Sequence, residues 1–356
     1  MYKKNRRKVP VRLRVELLAI LTDALYLKSL FVGGQKRFHL CGAGRHSEKA
    51  HKDLLALLHE GIALDAQHPG LLHTYIHIQE LDRKDPVLWQ AALDISKFSR
   101  GNIGHFAHMP NHVYWRRGKY KEAIAANQLA IKADLSHFKE GGFAQPHHYF
   151  YYHHLHNYHF LSNLYILQGN KDATYANSKE LRSKVVLSEM NELPTIRDYY
   201  STLYHQALVR FGDYHTFLKE APPKILGEQG KLLLMFLKGV SYFHLKKYKD
   251  FDTQLDLLKK WDKGNRDPLT IVTSRYLAAL KDYKNGLDIA SIAKKYQTKE
   301  LLNAERVLFK MNPNIFYFWS AVLLYQMAEK KNKSLREYFK QQHYKNFPDS
   351  FLSYKF

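Results

Sequence analysis

Apolar residues recur at helical spacing along most of this chain, and no run alternates with period two for long enough to make a strand. From Val11 to Val32, the positions Val15, Leu18, Ala19, Leu21, Leu25 and Leu30 predict one amphipathic helix closed by Gly33-Gly34. Residues 35–45, with Gly42 and Gly44, read as loop. Ser47 stands where it can cap a second helix that reaches Asp65 and carries Leu54, Leu55, Leu58 and Ile62 on one face. Pro69-Gly70 breaks the chain before a short helix from Leu71 to Leu81. Asp85-Pro86 opens the next, with Asp85 as cap and Pro86 at the first helical position, where its missing N–H costs nothing. That helix extends to Phe98, and Gly101 to Gly104 is a turn. Helical spacing returns over 196–211, 229–245, 249–260, 267–283, 298–309, 313–329 and 333–346, with Asn312-Pro313 and Ser334 as start signals.

The run from Tyr114-Trp-Arg-Arg-Gly118-Lys-Tyr120 through Ala123 and Ala130 to Asp134 resembles the second half of a tetratricopeptide repeat. It has a turn glycine, an aromatic two residues on, and alanines where the second helix presses on its neighbours. Weaker copies stand at Gly169–Ala173, at Phe211-Gly212-Asp-Tyr214 and at Lys246-Lys-Tyr248; Tyr214 and Tyr248 are 34 residues apart, the period of that repeat. The expected fold is all-α, a tetratricopeptide-like α-solenoid of degenerate helical hairpins, each stacking on its neighbours to bury the face it cannot bury alone. Residues 1–45 are expected to form an N-terminal helix and loop, 46–262 the solenoid with a histidine-rich groove, and 263–356 further helical repeats.

Composition narrows the chemistry. The 356 residues, 45% apolar, suffice for a large core. A lone cysteine, Cys41, excludes an internal disulfide framework and zinc sites built from several thiolates, and points to a reducing, cytoplasmic setting. The basic residues 3–14 begin as a secretory signal does, but Glu16, Asp23 and Lys28 interrupt the apolar run that follows, and no small-residue cleavage site comes after it. No apolar stretch is long enough for a membrane span. The net charge of +22 invites nucleic acid, yet there is no dense basic block beyond residue 14 and no nucleic-acid motif. An acidic protein or peptide partner suits that charge better. Glycine-rich phosphate loops and His-Glu-x-x-His are both missing.

Of the 21 histidines, 13 lie between His68 and His159 and only four beyond, a concentration that even compositional bias would not produce. On a helix, residues three or four apart share a face. His73 and His77, His105 and His108, His108 and His112, and His156 and His159 have that spacing, and such a pair of imidazoles can hold one cation. The expected ligand pool is His73, His77, His108, His112, His156 and His159, with His68, His105 and His153 secondary, for a divalent transition metal such as zinc, iron or copper. Glu80 or Asp82 is the acid that could complete a His–carboxylate site or serve as a base. Pro110 implies a helix start or a kink, either of which turns His108 out of helical register. His147, His148 and His154 sit in an aromatic-rich run and read as local bias. The same imidazoles also have a plainer use, as core groups that donate to carbonyls, and both uses stay open.

Three segments resemble a family of bacterial tetratricopeptide-repeat proteins. The matches are His68-Pro69-Gly70 with His73, Tyr75, Ile76 and His77; His108-Met109-Pro110 with His112 and Tyr114; and His156-Asn157 with His159 and Phe160. The likeness covers residues 50–260. Asn111 stands where that family usually has Ser, Val113 replaces Ile, and members usually carry further repeats ahead of the first segment, so this chain begins late by comparison. The resemblance implies an α-solenoid with a shared histidine-lined groove, and it implies no substrate; Tyr75, Tyr114, Asn157 and Glu80 are expected as binding residues of that groove. Two functions are thereby expected: an interaction scaffold for a protein or peptide, and a divalent-metal-binding protein that extends to a metal-dependent enzyme.

Overall fold

The computed structural model describes residues 9–31, 48–80, 85–101, 103–141, 149–185, 190, 194–262, 267–296, 298, 300–301, 304, 337 and 341. Gly33-Gly34, the loop at 35–45 with Cys41, Ser47, Asp82, His147, His148 and the helix expected at 313–329 lie outside these residues; 298–309 and 333–346 are touched only at isolated positions. Every regular element among the described residues is helical. The chain divides into two compact units, Met1–Tyr149 and Phe150–Phe356, a boundary that falls inside the 46–262 stretch.

The first unit contains α1 (Val11–Phe31), α2 (Glu48–Leu64), α3 (Pro69–Gln79), α4 (Pro86–Ile95) running into a 3₁₀ turn (Ser96–Gly101), α5 (Gly104–His108), α6 (Pro110–Arg116) and α7 (Tyr120–Glu140). On α1, Val15, Leu18 and Ala19 are buried as expected, joined by Thr22 and Tyr26. They meet Leu54 and Leu58 of α2, Leu71, Leu72 and Ile76 of α3, and Leu88, Ala91 and Ile95 of α4 in one core. Asp85 caps α4 as its sequence position suggested, its Oδ1 accepting from the N–H groups of Val87 and Leu88 at 2.8 and 3.3 Å. Its other carboxylate oxygen accepts from the Tyr75 hydroxyl at 2.6 Å, which ties the cap to α3.

The short α5 lies flush on α7. A Cβ at Gly104 would run into the Asp134 carboxylate and come within 2.8 Å of the Ala130 carbonyl oxygen, so only glycine permits this approach. Tyr149 closes the same corner, donating to Asp134 at 2.8 Å and accepting from the His105 N–H at 3.2 Å.

The second unit opens with a π-helical turn (Phe150–His154), then α8 (Leu155–Leu167), α9 (Lys171–Lys184), α10 (Pro194–Arg210), α11 (Tyr214–Lys219), α12 (Glu228–His244), α13 (Tyr248–Asp262), α14 (Pro268–Lys284) and α15 (Ile289–Tyr296). Consecutive long helices pack side by side as hairpins: α8 on α9, α9 on α10, α12 on α13 and α13 on α14.

One turn recurs in both units. At Gly118, Gly169, Gly212, Lys246 and Gly286 the backbone enters the left-handed region, with φ from 59 to 92°. In each case that residue donates to the carbonyl three back and the next residue to the carbonyl five back, as Gly118 does to Trp115 and Lys119 to Tyr114. This is the Schellman closure, which satisfies carbonyls that a helix end leaves open. The turn signals noted at 118, 169, 212 and 246 are therefore one device used repeatedly.

Lys246 occupies that turn with φ 59° and carries a Cβ the conformation disfavours. Relief of ~1–2 kcal/mol of left-handed strain, less ~0.5–1 kcal/mol for the freedom glycine loses on folding, leaves about 0.5 kcal/mol in favour of Lys246→Gly. Gly212→Ala should shift stability the other way by about 1 kcal/mol. Urea denaturation checks both, and equal midpoints for the two variants would refute the assignment of these turns.

Candidate metal centre

Five imidazoles of the first unit stand together: His73 and His77 from α3, His105 and His108 from α5, and His112 from α6. Ring centroids lie 4.8 Å apart for His73 and His77, 5.0 Å for His73 and His105, 4.9 Å for His77 and His112, and 4.8 Å for His108 and His112. One ring nitrogen from each of His73, His77 and His105 lies within 4.8 Å of the others, so this group could hold a metal ion. The closest approaches are Nε2 to Nε2, at 2.9 Å for His73 and His105 and 3.0 Å for His108 and His112. A tetrahedral zinc with nitrogens at 2.0–2.1 Å would set them about 3.4 Å apart, so small side-chain movements suffice. His73 and His105 are half-buried, whereas His108 and His112 are fully buried.

Local structure explains the convergence. His73 and His77 share a face of α3, and the N-terminus of that helix is held by His68, whose Nδ1 accepts from the Leu71 N–H at 3.3 Å. Pro110 begins α6, which decides between the two arrangements its position allowed. The expected loss of register does not follow, however. Met109 keeps right-handed helical angles, φ −52° and ψ −40°, against the usual preference of a residue before proline, so helical backbone continues from α5 into α6. His108 and His112 thus remain one helical turn apart across the junction.

Hydrogen bonds orient the buried pair. Asn127 of α7 donates through Nδ2 to the Asn111 side-chain oxygen at 2.9 Å and to the Ala123 carbonyl at 2.8 Å. Its Oδ1 is therefore the acceptor that faces His108 Nδ1 at 2.8 Å, and His108 carries its proton there. Glu80 accepts from His112 Nδ1 at 2.7 Å and from Arg116 at 3.1 Å. Burial alone would raise the Glu80 carboxyl, but the charges and hydrogen bonds of Arg116 and His112 outweigh it and hold it below the ordinary carboxylate value. An ionised Glu80 keeps the His112 proton on Nδ1. The two Nε2 atoms consequently face each other, 3.0 Å apart. Orientation of a ligating imidazole by a carboxylate or amide on its other nitrogen is the usual second layer of a metal site.

Of the remaining expected site residues, Tyr75 and Tyr114 lie in the first unit. Tyr75 is held by Asp85, and Tyr114 packs edge-on against Trp89 at 5.5 Å. His153, His156, Asn157 and His159 belong to the second unit. There His153 lies on the π-helical turn, partly buried, and Asn157 is fully buried on α8. His156 stacks edge-on against Phe160 at 4.6 Å. His159 packs against Tyr199 and Tyr200 at 4.9 and 5.5 Å, with its Nε2 3.0 Å from the Asn163 side-chain nitrogen. His154 is fully buried between Phe150 and Tyr158.

No family model matches this chain, and no curated protein or solved structure matches it either. The site therefore rests on its own geometry. Sequence reasoning missed Asn127 and Arg116, and it placed His105 in reserve although His105 belongs to the metal-capable group. Asn127 left a signal: a polar residue one turn after Ala123 and three before Ala130, on the buried face of α7.

Burial holds the His159 imidazole down to about 3, below its ordinary 6.5. The unfolded chain takes up this proton first, so the stability of the neutral ring is complete above pH 6.5. It is lost as pH falls towards 3, at about 1.4 kcal/mol per pH unit. Acid titration followed by circular dichroism should show a shallower decline between pH 6.5 and 4 for His159→Gln than for the unaltered protein; parallel curves would contradict it.

Proposed function

We propose that this protein binds a divalent transition-metal ion through His73, His77 and His105. The observation that carries the reading is the approach of three ring nitrogens within 4.8 Å, two of them 2.9 Å apart, in a group made only of imidazoles. Neutral nitrogen donors favour zinc, copper or iron over calcium or magnesium, which take oxygen ligands. Three imidazoles on a partly exposed site leave a coordination position for water or a substrate, the arrangement from which a metal-dependent enzyme works. With one cysteine in the chain, the cytoplasm is the compartment we assign.

The test is metal content of affinity-tag-free protein, reconstituted with zinc or copper and passed through gel filtration. Stoichiometric metal is expected, with a loss of at least one equivalent in the His73→Ala, His105→Ala double variant. Absence of bound metal in the unaltered protein would overturn the proposal.

A second reading, an interaction scaffold of tetratricopeptide type, draws support from the recurrent helical hairpins and from the charge of +22, which suits an acidic peptide. Retention of a glutamate-rich peptide should weaken about tenfold or more between 50 and 500 mM NaCl, as screening shortens the reach of the charges. No retention, or retention indifferent to salt, would remove this reading.

A further inference from the structure

The geometry points to two cations rather than one: a second, buried ion gripped by Nε2 of His108 and Nε2 of His112, beside the ion of the His73, His77 and His105 group. The inference builds on the proposed metal function and adds a site to it. Its basis is that the five imidazoles fall into two close pairs, His73 with His105 at 2.9 Å and His108 with His112 at 3.0 Å. Each pair has its own meeting point, because His73 and His105 fall in one metal-capable group and His108 and His112 in another.

The second point is prepared more strictly than the first. Asn127 and Glu80 hold the Nδ1 protons of His108 and His112, so both rings must present Nε2 to the same place. Glu80 is shared with Arg116, which offsets its charge. His77 stands between the two positions, its ring centroid 4.8 Å from that of His73 and 4.9 Å from that of His112. A centre of this form has one ion at a half-buried position and another at a buried one, so the two should differ in how fast a chelator removes them. Two neighbouring cations suit the activation of a water molecule or the clamping of an oxyanion ligand, and the half-buried ion is the one open to it.

The experiment is zinc stoichiometry by mass spectrometry on the full chain, with removal by a chelator followed in time. The expected result is two equivalents in the unaltered protein, lost in a fast and a slow step. One slowly removed equivalent should remain in His73→Ala, His105→Ala, and one rapidly removed equivalent in His108→Gln, His112→Gln. If the latter variant does not fold, the counts for the unaltered protein and the half-buried variant decide. A single equivalent in the unaltered protein overturns the second site; its loss with His73 and His105 leaves the metal-binding proposal standing. If the unaltered protein holds a single equivalent and that one survives His73→Ala, His105→Ala, the half-buried site and the two-ion centre are both overturned; no zinc at all overturns every assignment.

Discussion

The carboxylate of Glu80, nearly inaccessible to solvent, is shared between His112 and the guanidinium of Arg116. Much of the first unit is arranged so that this is possible. A buried ion pair of this kind gains little by itself, because desolvation offsets the attraction, but loss of one partner strands a charge at a cost of about 3–5 kcal/mol. The end of α3 and the whole of α6 are thereby held in one relation: Glu80 follows the last residue of α3, and His112 and Arg116 are one turn apart on α6. From the other side Asn127 joins His108 and Asn111 to α7. The imidazoles are consequently positioned by polar contacts inside a core that apolar residues close off.

That arrangement depends on two backbone permissions. Gly104 lets α5 approach α7 closely enough for Asn127 to reach His108. Met109 stays helical ahead of Pro110, so the proline begins a new helix directly after the old one. Pro110 has no N–H to contribute to the junction, and the hydrogen bond that crosses it runs from the His112 N–H to the Met109 carbonyl at 3.2 Å.

Much of the helical framework was legible in the chain itself. Asp85-Pro86 and Asp267-Pro268 both begin helices with the aspartate as cap, and the glycines at 118, 169 and 212 close α6, α8 and α10. The histidine spacing on α3 was equally legible, since His73 and His77 must share a face once that segment is helical. His68 was harder to read. A histidine before Pro-Gly looks like a ligand beside His73, yet its ring nitrogen accepts a backbone N–H at the start of α3. Tyr75 is similar, because its hydroxyl serves the Asp85 cap.

Local periodicity thus determined that the chain is helical, where many of its helices start and stop, and which histidines ride together, for these follow from contacts within a few residues. Tertiary structure alone decided which imidazoles meet. His73 and His105 are 32 residues apart, as are Glu80 and His112, and no spacing rule reaches that far. It also decided that His108 and His112 turn Nε2 towards each other, because Asn127 and Glu80, acceptors supplied from elsewhere in the fold, take their Nδ1 sides. A histidine's neighbours in sequence set its face of the helix; the protons on its ring are set by what lies across the interface.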